Sequence, residues 1–430
     1  MTNYFKYFFL LLLIYSIVIA FIGISCDTFY TIKYGGIDLR NRVVGARVWL
    51  DGRDPYFTKW DENTPDYFLD GRDYFYDLPV SRCTVTPSFL MLHLPLASIN
   101  YKTQQYIWFI LQELMLLTTI YILAFLAKNK FKLVLIIGFL FQFGAYFWRF
   151  HVANGQIYVL FLFMITLAYL FVKSNLKYSS FWAGLILGIT ATWRPPLLIM
   201  GIPFLIFKKW KLISGGFCGI VLGFVSSLFI NGIDIWRSYF AAMKIVEQFH
   251  LGLIDFKLLV HDHFNNVEGV TNSFFSADVP GLDASIQGFL FNQFETVVHS
   301  RYLWSALFII TIGLSIYLLK KRNENKSWEI IFFWGVTLLF LSEFFLPAAR
   351  LSYNNVLWLL PISLLIIETN DPTKLIDSPL ILFILGILLN YLYNLHILTI
   401  IFADFTILFY LIFMWFKIDR VNLGTPAKVS

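Results

Sequence analysis

Residues able to do chemistry gather in several short stretches of a chain that is otherwise apolar. Residues 35–57 read GGIDLRNRVVGARVWLDGRDPYF, where Asp38 is followed by Arg40, Asn41 and Arg42. A carboxylate there can accept a hydroxyl proton, and the neighbouring guanidiniums keep it ionised. A lone Asp in a loop is more often a turn or N-cap residue, and what favours the chemical reading here is the continuation ARVWLDGRDPYF. In WRFHVANGQ (148–156), Arg149 and His151 precede Asn154-Gly155-Gln156, which stands at the head of an apolar run. Asn154 can cap a helix opening there, with Gln156 in the first turn, where free backbone N–H groups suit an anionic or polyhydroxyl ligand. Trp193-Arg194-Pro195-Pro196 breaks another apolar run, and PAARLSYNN (347–355) brings Arg350, Asn354 and Asn355. An arginine at such a helix end grips phosphate bidentately, or simply snorkels to lipid headgroups.

Two further stretches are weaker. His250, Asp255, His261, Asp262, His263 and His299 lie between 232 and 301, but their spacing matches no recognisable zinc site, so no metal is expected. DASIQGFLFNQ (283–293) interleaves polar side chains, Gln287 among them, with aromatic ones. That pattern suits carbohydrate, whose apolar faces stack on rings while its hydroxyls need paired hydrogen bonds; it also suits a membrane interface.

The elements that must position these residues are membrane helices. With 58% hydrophobic and 19% aromatic residues against 14% charged, and a mean hydropathy of +0.68, the 430-residue chain excludes a water-soluble domain. Segments of alternating hydrophobicity that would signal a barrel are missing, which leaves an all-α polytopic fold. Apolar runs at 7–25, 105–127, 131–148, 155–172, 180–193, 195–207, 212–231, 302–319, 328–346, 353–368, 379–397 and 399–416 predict about twelve helices, some short of the roughly 20 residues a span needs. The first is longer than a signal-peptide core and reads as a retained helix. TPSFLMLHLPLASI (86–99) is short and broken by proline, so it reads as a juxtamembrane or re-entrant segment. ARVWL (46–50) reads as an interfacial amphipathic helix, Asp51-Gly52 as its end, and Asp54-Pro55-Tyr56 as a turn.

Orientation follows from the short loops. KNKFK (128–132), KSNLK (173–177), KKWK (208–211) and KKRNENK (320–326) are basic and fall on the same side as Lys6 and the tail with Lys417, Arg420 and Lys428. The positive-inside rule puts both termini in the cytoplasm and the loops 26–104 and 232–301 outside, together with the polar stretches above. The net charge of +6 is part of this basic collar and is no evidence for nucleic acid. Three cysteines are too few for a disulfide scaffold; Cys26 and Cys83 could pair if the first loop is extracytoplasmic.

At these residues the chain resembles glycosyltransferases of the GT-C fold, most closely family 87, the polyprenyl-phosphate-mannose-dependent mannosyltransferases. Four features carry the resemblance in order: Asp38 followed by A-x-x-x-L-x-G-x-D-P-Y (Ala46 to Tyr56), N-G-Q at 154–156, G-x-x-A and then a basic residue before proline (Gly188 to Pro195), and S-x-x-x-x-x-x-x-L-P (Ser352 to Pro361). The chain departs from the family pattern in three places: WRPP where K-x-x-P is common, TVTPSF where a Tyr-Pro-Pro turn is common, and Asn354-Asn355 where a histidine often follows the serine. The resemblance spans about residues 7–368 and implies one membrane domain over 1–430, with a seven-helix module (1–231, including outer loop 26–104), a second outer loop (232–301) and C-terminal helices (302–430).

The activity implied is transfer of a hexose, mannose in the first place, from a polyprenyl phosphate to a hydroxyl of a glycolipid or glycan at the extracytoplasmic face of the cell membrane, with inversion. Asp38 is the expected base. Arg194, with Arg149 and Arg350 behind it, is expected at the phosphate, and His151, Asn154, Gln156, Asn354, Asn355 and Gln287 around donor and acceptor. Membrane lipids surround the helices, and no cofactor is called for, in keeping with the lack of a Gly-rich phosphate loop. Two alternatives use the same outer polar face. A flippase or transporter of lipid-linked sugars would show internal repeats and mid-membrane ionisable pairs. A polymerase or ligase of lipid-linked saccharides would share the large outer loops.

Overall fold

The computed structural model describes residues 3–34, 36–58, 68, 83–230, 232–250, 284–322, 325–346, 350–369, 386 and 397–421. Every regular element among them is a helix. In chain order these are α1 (Asn3–Tyr34), α2 (Ile37–Leu50), α3 (Pro87–Leu96), α4 (Tyr101–Leu126), α5 (Lys128–Phe143), α6 (Tyr146–Asn154), α7 (Tyr158–Lys173), α8 (Ser179–Trp193), α9 (Pro195–Ile206) and α10 (Trp210–Ser226). The remainder are α11 (Asp234–His250), α12 (Ile286–Phe294), α13 (Ser300–Lys320), α14 (Trp328–Phe345), α15 (Ser352–Glu368) and α16 (Ile397–Val421).

Among the described residues, five helices are long and apolar enough to cross a bilayer: Tyr7–Lys33 within α1, then α4, α13, α14, and Ile401–Ile418 within α16. The pair α5 and α6, bent by 61°, makes a sixth if read as one broken span. The shorter apolar helices among the described residues are α3, α7, α9, α10 and α15, while the run expected at 379–397 lies almost wholly outside them. Local chemistry explains where the runs break. Pro87 and Pro195 each start a helix, because proline suits a first turn and forbids continuation from before it. A π-helical stretch at Gly138–Phe143 ends α5 before the bend.

Helix α14 is the axis of the bundle: it is buried from Glu329 to Phe345 and packs against α7, α9, α13, α15 and α16. By contrast α1 and α13 carry apolar faces turned outward, with Phe21 and Ile309 more than two-thirds exposed, as suits contact with lipid. Among the described residues, α8 and α10 pack backbone against backbone. Gly184 and Gly188 face Gly215 and Gly219, and a Cβ on any of the four would collide with the opposite backbone. Such four-residue spacing of glycine lets two membrane helices approach to backbone contact.

The two ends of α14 differ in chemistry. At its start Glu329 takes Lys173 (2.7 Å) and the Tyr169 hydroxyl (2.8 Å), and the Lys209 ammonium sits over the Trp328 ring. Lys130 donates to the last carbonyls of α15, Ile366 among them (2.5 Å), and Ser327 donates to Glu368 (2.8 Å). The basic loops after α4, α7, α9 and α13 therefore gather at one end. Glu343, near the other end, lies fourteen residues on, about 21 Å along the axis at 1.5 Å per residue. The candidate site is built there.

Candidate active site

The helix expected at 46–50 begins earlier, at Ile37, so Asp38 lies in a helix and not in the loop expected for it. Gly36, in the left-handed region at φ 67°, turns the chain between α1 and α2, and the Tyr101 hydroxyl fixes that turn by donating to the Gly36 carbonyl (2.8 Å). Asp38 thus falls in the first turn of α2, where unsatisfied N–H groups favour a carboxylate. The expected membrane-surface helix is also corrected. Ala46 and Trp49 are fully buried against Tyr56, Leu90, Trp236 and Tyr239, and only Leu50 faces outward. Arg47 explains why the helix sits inward: its guanidinium donates to the carbonyls of Ala97, Phe68 and Ile99 at 2.8 to 3.2 Å, tying α2 to the turn before α4. The turn at its end is as expected. Gly52 has φ 77°, the Tyr56 N–H donates to Asp54 (2.8 Å), and the Tyr56 hydroxyl reaches the Val85 carbonyl (2.8 Å).

Asp38 keeps partial exposure while its Oδ2 accepts from the Nε2 of Gln156. Arg42, one turn further along α2, is buried, donates through Nη2 to the Gly155 carbonyl, and lies against the rings of Trp108 and Phe89 at 5.4 and 6.0 Å. Burial raises the Asp38 carboxyl to about 6, with Arg42 opposing the rise. Burial likewise lowers the Arg42 guanidinium to about 10, with Asp38 opposing. A carboxylate in this range is poised to exchange a proton near neutral pH.

The N-G-Q motif has a different geometry from the one expected. Asn154 closes α6 and donates to the Phe150 carbonyl one turn back (2.8 Å), so it does not cap the following helix. Gly155 is the left-handed C-cap of α6, at φ 67°, and a side chain there would run into Leu39. Its carbonyl takes both Arg42 and the Trp108 indole N–H (3.0 Å), which also touches the Gln156 carbonyl (3.3 Å). Gln156 then lies between α6 and α7, aimed at Asp38. His151, also on α6, is buried; its Nε2 accepts from the Val159 N–H (3.2 Å), which assigns the ring hydrogen to Nδ1.

Arg194 forms a second group of polar contacts. Because Pro195 follows, Arg194 is held extended (φ −141°, ψ 92°) at the end of α8. Its Nε and Nη2 both donate to Oε1 of Glu343 on α14 (3.1 and 2.5 Å), and its guanidinium lies over Tyr158 at 4.5 Å. Asn354 donates to the other oxygen of Glu343 (3.3 Å). The two groups share walls. Phe89, packed on Arg42, touches Trp193 and Phe161, while Tyr158 is in ring contact with Tyr353 and at 6.5 Å with His151.

Other expected residues make contacts outside these two groups. Arg350 is buried between Asp404 on α16 and Asn355, with Asn355 also donating to Asp404. Arg149 lies 3.7 Å from Asp27 of α1. Gln287 accepts from the Val298 N–H (3.0 Å), and His299 caps α13. Cys26 and Cys83 are free thiols, so the pairing considered for them is not formed. Asp255, His261, Asp262 and His263 lie outside the described residues. Sequence reasoning did not single out Glu343 or Tyr158. A lone carboxylate in LFLSEFF (339–345) was the available signal, since an acid inside an apolar run needs a partner.

A helical bundle with several spans of membrane length and a polar site at one end of its buried central helix defines the class: an integral membrane protein with a candidate active site at one end. The model of Glycosyltransferase family 87 matches residues 84–255, from just before α3 to just beyond α11, and indicates a glycosyltransferase. The resemblance drawn from the motifs is borne out by that match. Gln156 and Arg194 lie inside the matched region, whereas Asp38 lies before it and reaches it through its hydrogen bond to Gln156. No curated protein and no solved structure matches the chain.

Proposed function

We propose that the protein transfers a hexose, mannose in the first place, from a polyprenyl phosphate to a hydroxyl of a glycolipid or glycan, with inversion. The observation that carries the reading is Asp38: a carboxylate raised to about 6, oriented by Gln156 and joined by it to the region that matches a glycosyltransferase family. In the transfer step the acceptor hydroxyl gives its proton to Asp38 as its oxygen bonds to the anomeric carbon. The bond from that carbon to the phosphate oxygen breaks, and the electron pair leaves with the polyprenyl phosphate. The leaving group is a stable anion, so positive charge aids it more than a general acid would.

Gln156 positions the base. Arg194, Asn354 and His151 surround the sugar, with Glu343 holding Arg194 in place. Arg149, Arg350, Asn355, Asn154 and Gln287 brace the helices around them. The basic loops at the opposite end of α14 support a site on the extracytoplasmic side, since Lys and Arg collect inside. The test is a donor panel: purified protein in nanodiscs with β-linked polyprenyl-phosphate mannose and glucose, each labelled, and a lipid acceptor. An α-linked product from one of these donors is expected. A β-linked product would sink the single displacement, and no transfer from either donor would sink the activity.

A further inference from the structure

The arginines in this half of the molecule are not equally committed. Arg47 spends its donors on the carbonyls of Ala97, Phe68 and Ile99. Arg194 directs Nε and Nη2 to one carboxylate oxygen, and with Glu343 it forms a locally neutral pair. Arg350 is paired with Asp404 and Asn355. Arg42 is 3% exposed, makes its one hydrogen bond to a backbone carbonyl, and leaves its Nε–H without an acceptor. The Nε–H of Arg350 also lacks an acceptor, but that guanidinium is hydrogen-bonded to a carboxylate, as Arg194 is and Arg42 is not. A buried charged donor in that condition is costly unless something comes to it. Around it lie two more buried polar atoms without partners. His93 Nε2 belongs to a ring packed on the same Phe89 and Trp108 that flank Arg42, and His151 Nδ1 belongs to a ring within electrostatic reach of Arg42.

We infer that Arg42, rather than Arg194, binds the phosphate of an isoprenoid phosphate, with His93 and His151 beside it, one helical turn from Asp38. This rests on the glycosyl-transfer reading for its role in catalysis but not for the binding itself. Charge accounting favours the arrangement. Before transfer Arg42 faces the Asp38 carboxylate; as Asp38 takes the acceptor proton it becomes neutral, and the departing phosphate gains the negative charge. The same guanidinium then balances both states without moving charge through the bilayer. A planar fork with unspent N–H groups also matches phosphate geometry.

The experiment is a titration of the full chain in phosphatidylcholine nanodiscs with geranyl phosphate, followed by tryptophan fluorescence and thermal shift. Arg42→Gln is expected to weaken binding about ten- to a hundredfold, the loss of a charge-assisted contact. Asp38→Asn is expected to tighten binding several-fold, because it removes the competing carboxylate. The double variant Arg194→Gln/Glu343→Gln, neutral like the pair it replaces, is expected to bind within about threefold of wild type, as for sites without a shared ligand. Unchanged affinity in Arg42→Gln, or a large loss in the Arg194/Glu343 variant instead, overturns the assignment. If Arg42→Gln does not fold, Asp38→Asn decides: weaker or unchanged binding there overturns it. Equal competition by inorganic phosphate or by phosphatidylglycerol placed in the discs would show a general anion or headgroup site and also overturn it. Sugar transfer measured on the same preparations separates the two claims. Wild-type transfer with unaltered phosphate binding in Arg42→Gln removes this inference alone. Arg42-dependent binding with no transfer from any donor removes the glycosyl-transfer reading alone.

Discussion

If Asp38 is the base, the rate must follow its ionisation. Its carboxyl stands at about 6, raised by burial and held back by Arg42. The sign is fixed by the role: a base works only as the carboxylate, so kcat/KM falls as pH drops through about 6 and is level above it. For one group titrating at about 6, roughly a tenth is ionised at pH 5 and nine-tenths at pH 7, so kcat/KM should differ about tenfold between them. Arg42→Gln removes the favourable charge and should move the acid limb to higher pH, while Arg47→Lys, on the same helix but facing carbonyls, should leave it in place. The assay is initial-rate transfer at low donor concentration from pH 4.5 to 8, with thermal melts at each pH to confirm that the protein stays folded. An acid limb near 4, the ordinary carboxylate range, would refute the burial argument. A limb at 6 that survives in Asp38→Asn would assign it to another group.

Other predictions concern the frame. Glu343→Gln strips Arg194 of its buried partner and should cost about 3 kcal/mol, the low end for such pairs, because Arg194 keeps 18% exposure. The double variant with Arg194→Gln should recover most of the loss in a thermal double-mutant cycle; additive losses would mean the pair is not coupled. Gly188→Val places a side chain where the backbone of Gly216 already is, so folded yield by gel filtration should collapse, whereas Gly313→Ala, with open space around it, should behave as wild type. Tyr101→Phe removes the hydroxyl that fixes the Gly36 turn, with a stability loss of about 1 kcal/mol and a drop in kcat; unchanged kcat would show that this turn does not position Asp38.

Much of this architecture was legible in the residues, and the limits have physical causes. Composition alone required a helical membrane protein, and the basic loops were correctly grouped because cations avoid the apolar middle and collect at helix ends. The pairing of Asp38 with the N-G-Q motif came through as a shared side of the membrane, although the sequence placed the two on a loop and a helix start. Gly36 and Gly155 reversed those readings, since each takes a left-handed conformation that turns one helix end toward the other. Helix lengths were less legible: prolines and a π-helical stretch cut the apolar runs into long, bent and short pieces that hydropathy alone counts alike. Charge partners were least legible of all. Arg194 with Glu343 and Arg350 with Asp404 join residues 149 and 54 apart, and nothing local marks one arginine as paired and another, Arg42, as unspent.

The most direct test of the central claim is single-turnover transfer of labelled hexose from polyprenyl phosphate by wild type and Asp38→Asn, both shown to be folded and to bind geranyl phosphate. Removing a general base should lower the rate about 10² to 10⁴-fold while donor binding is kept. Equal rates in the two proteins would contradict the account.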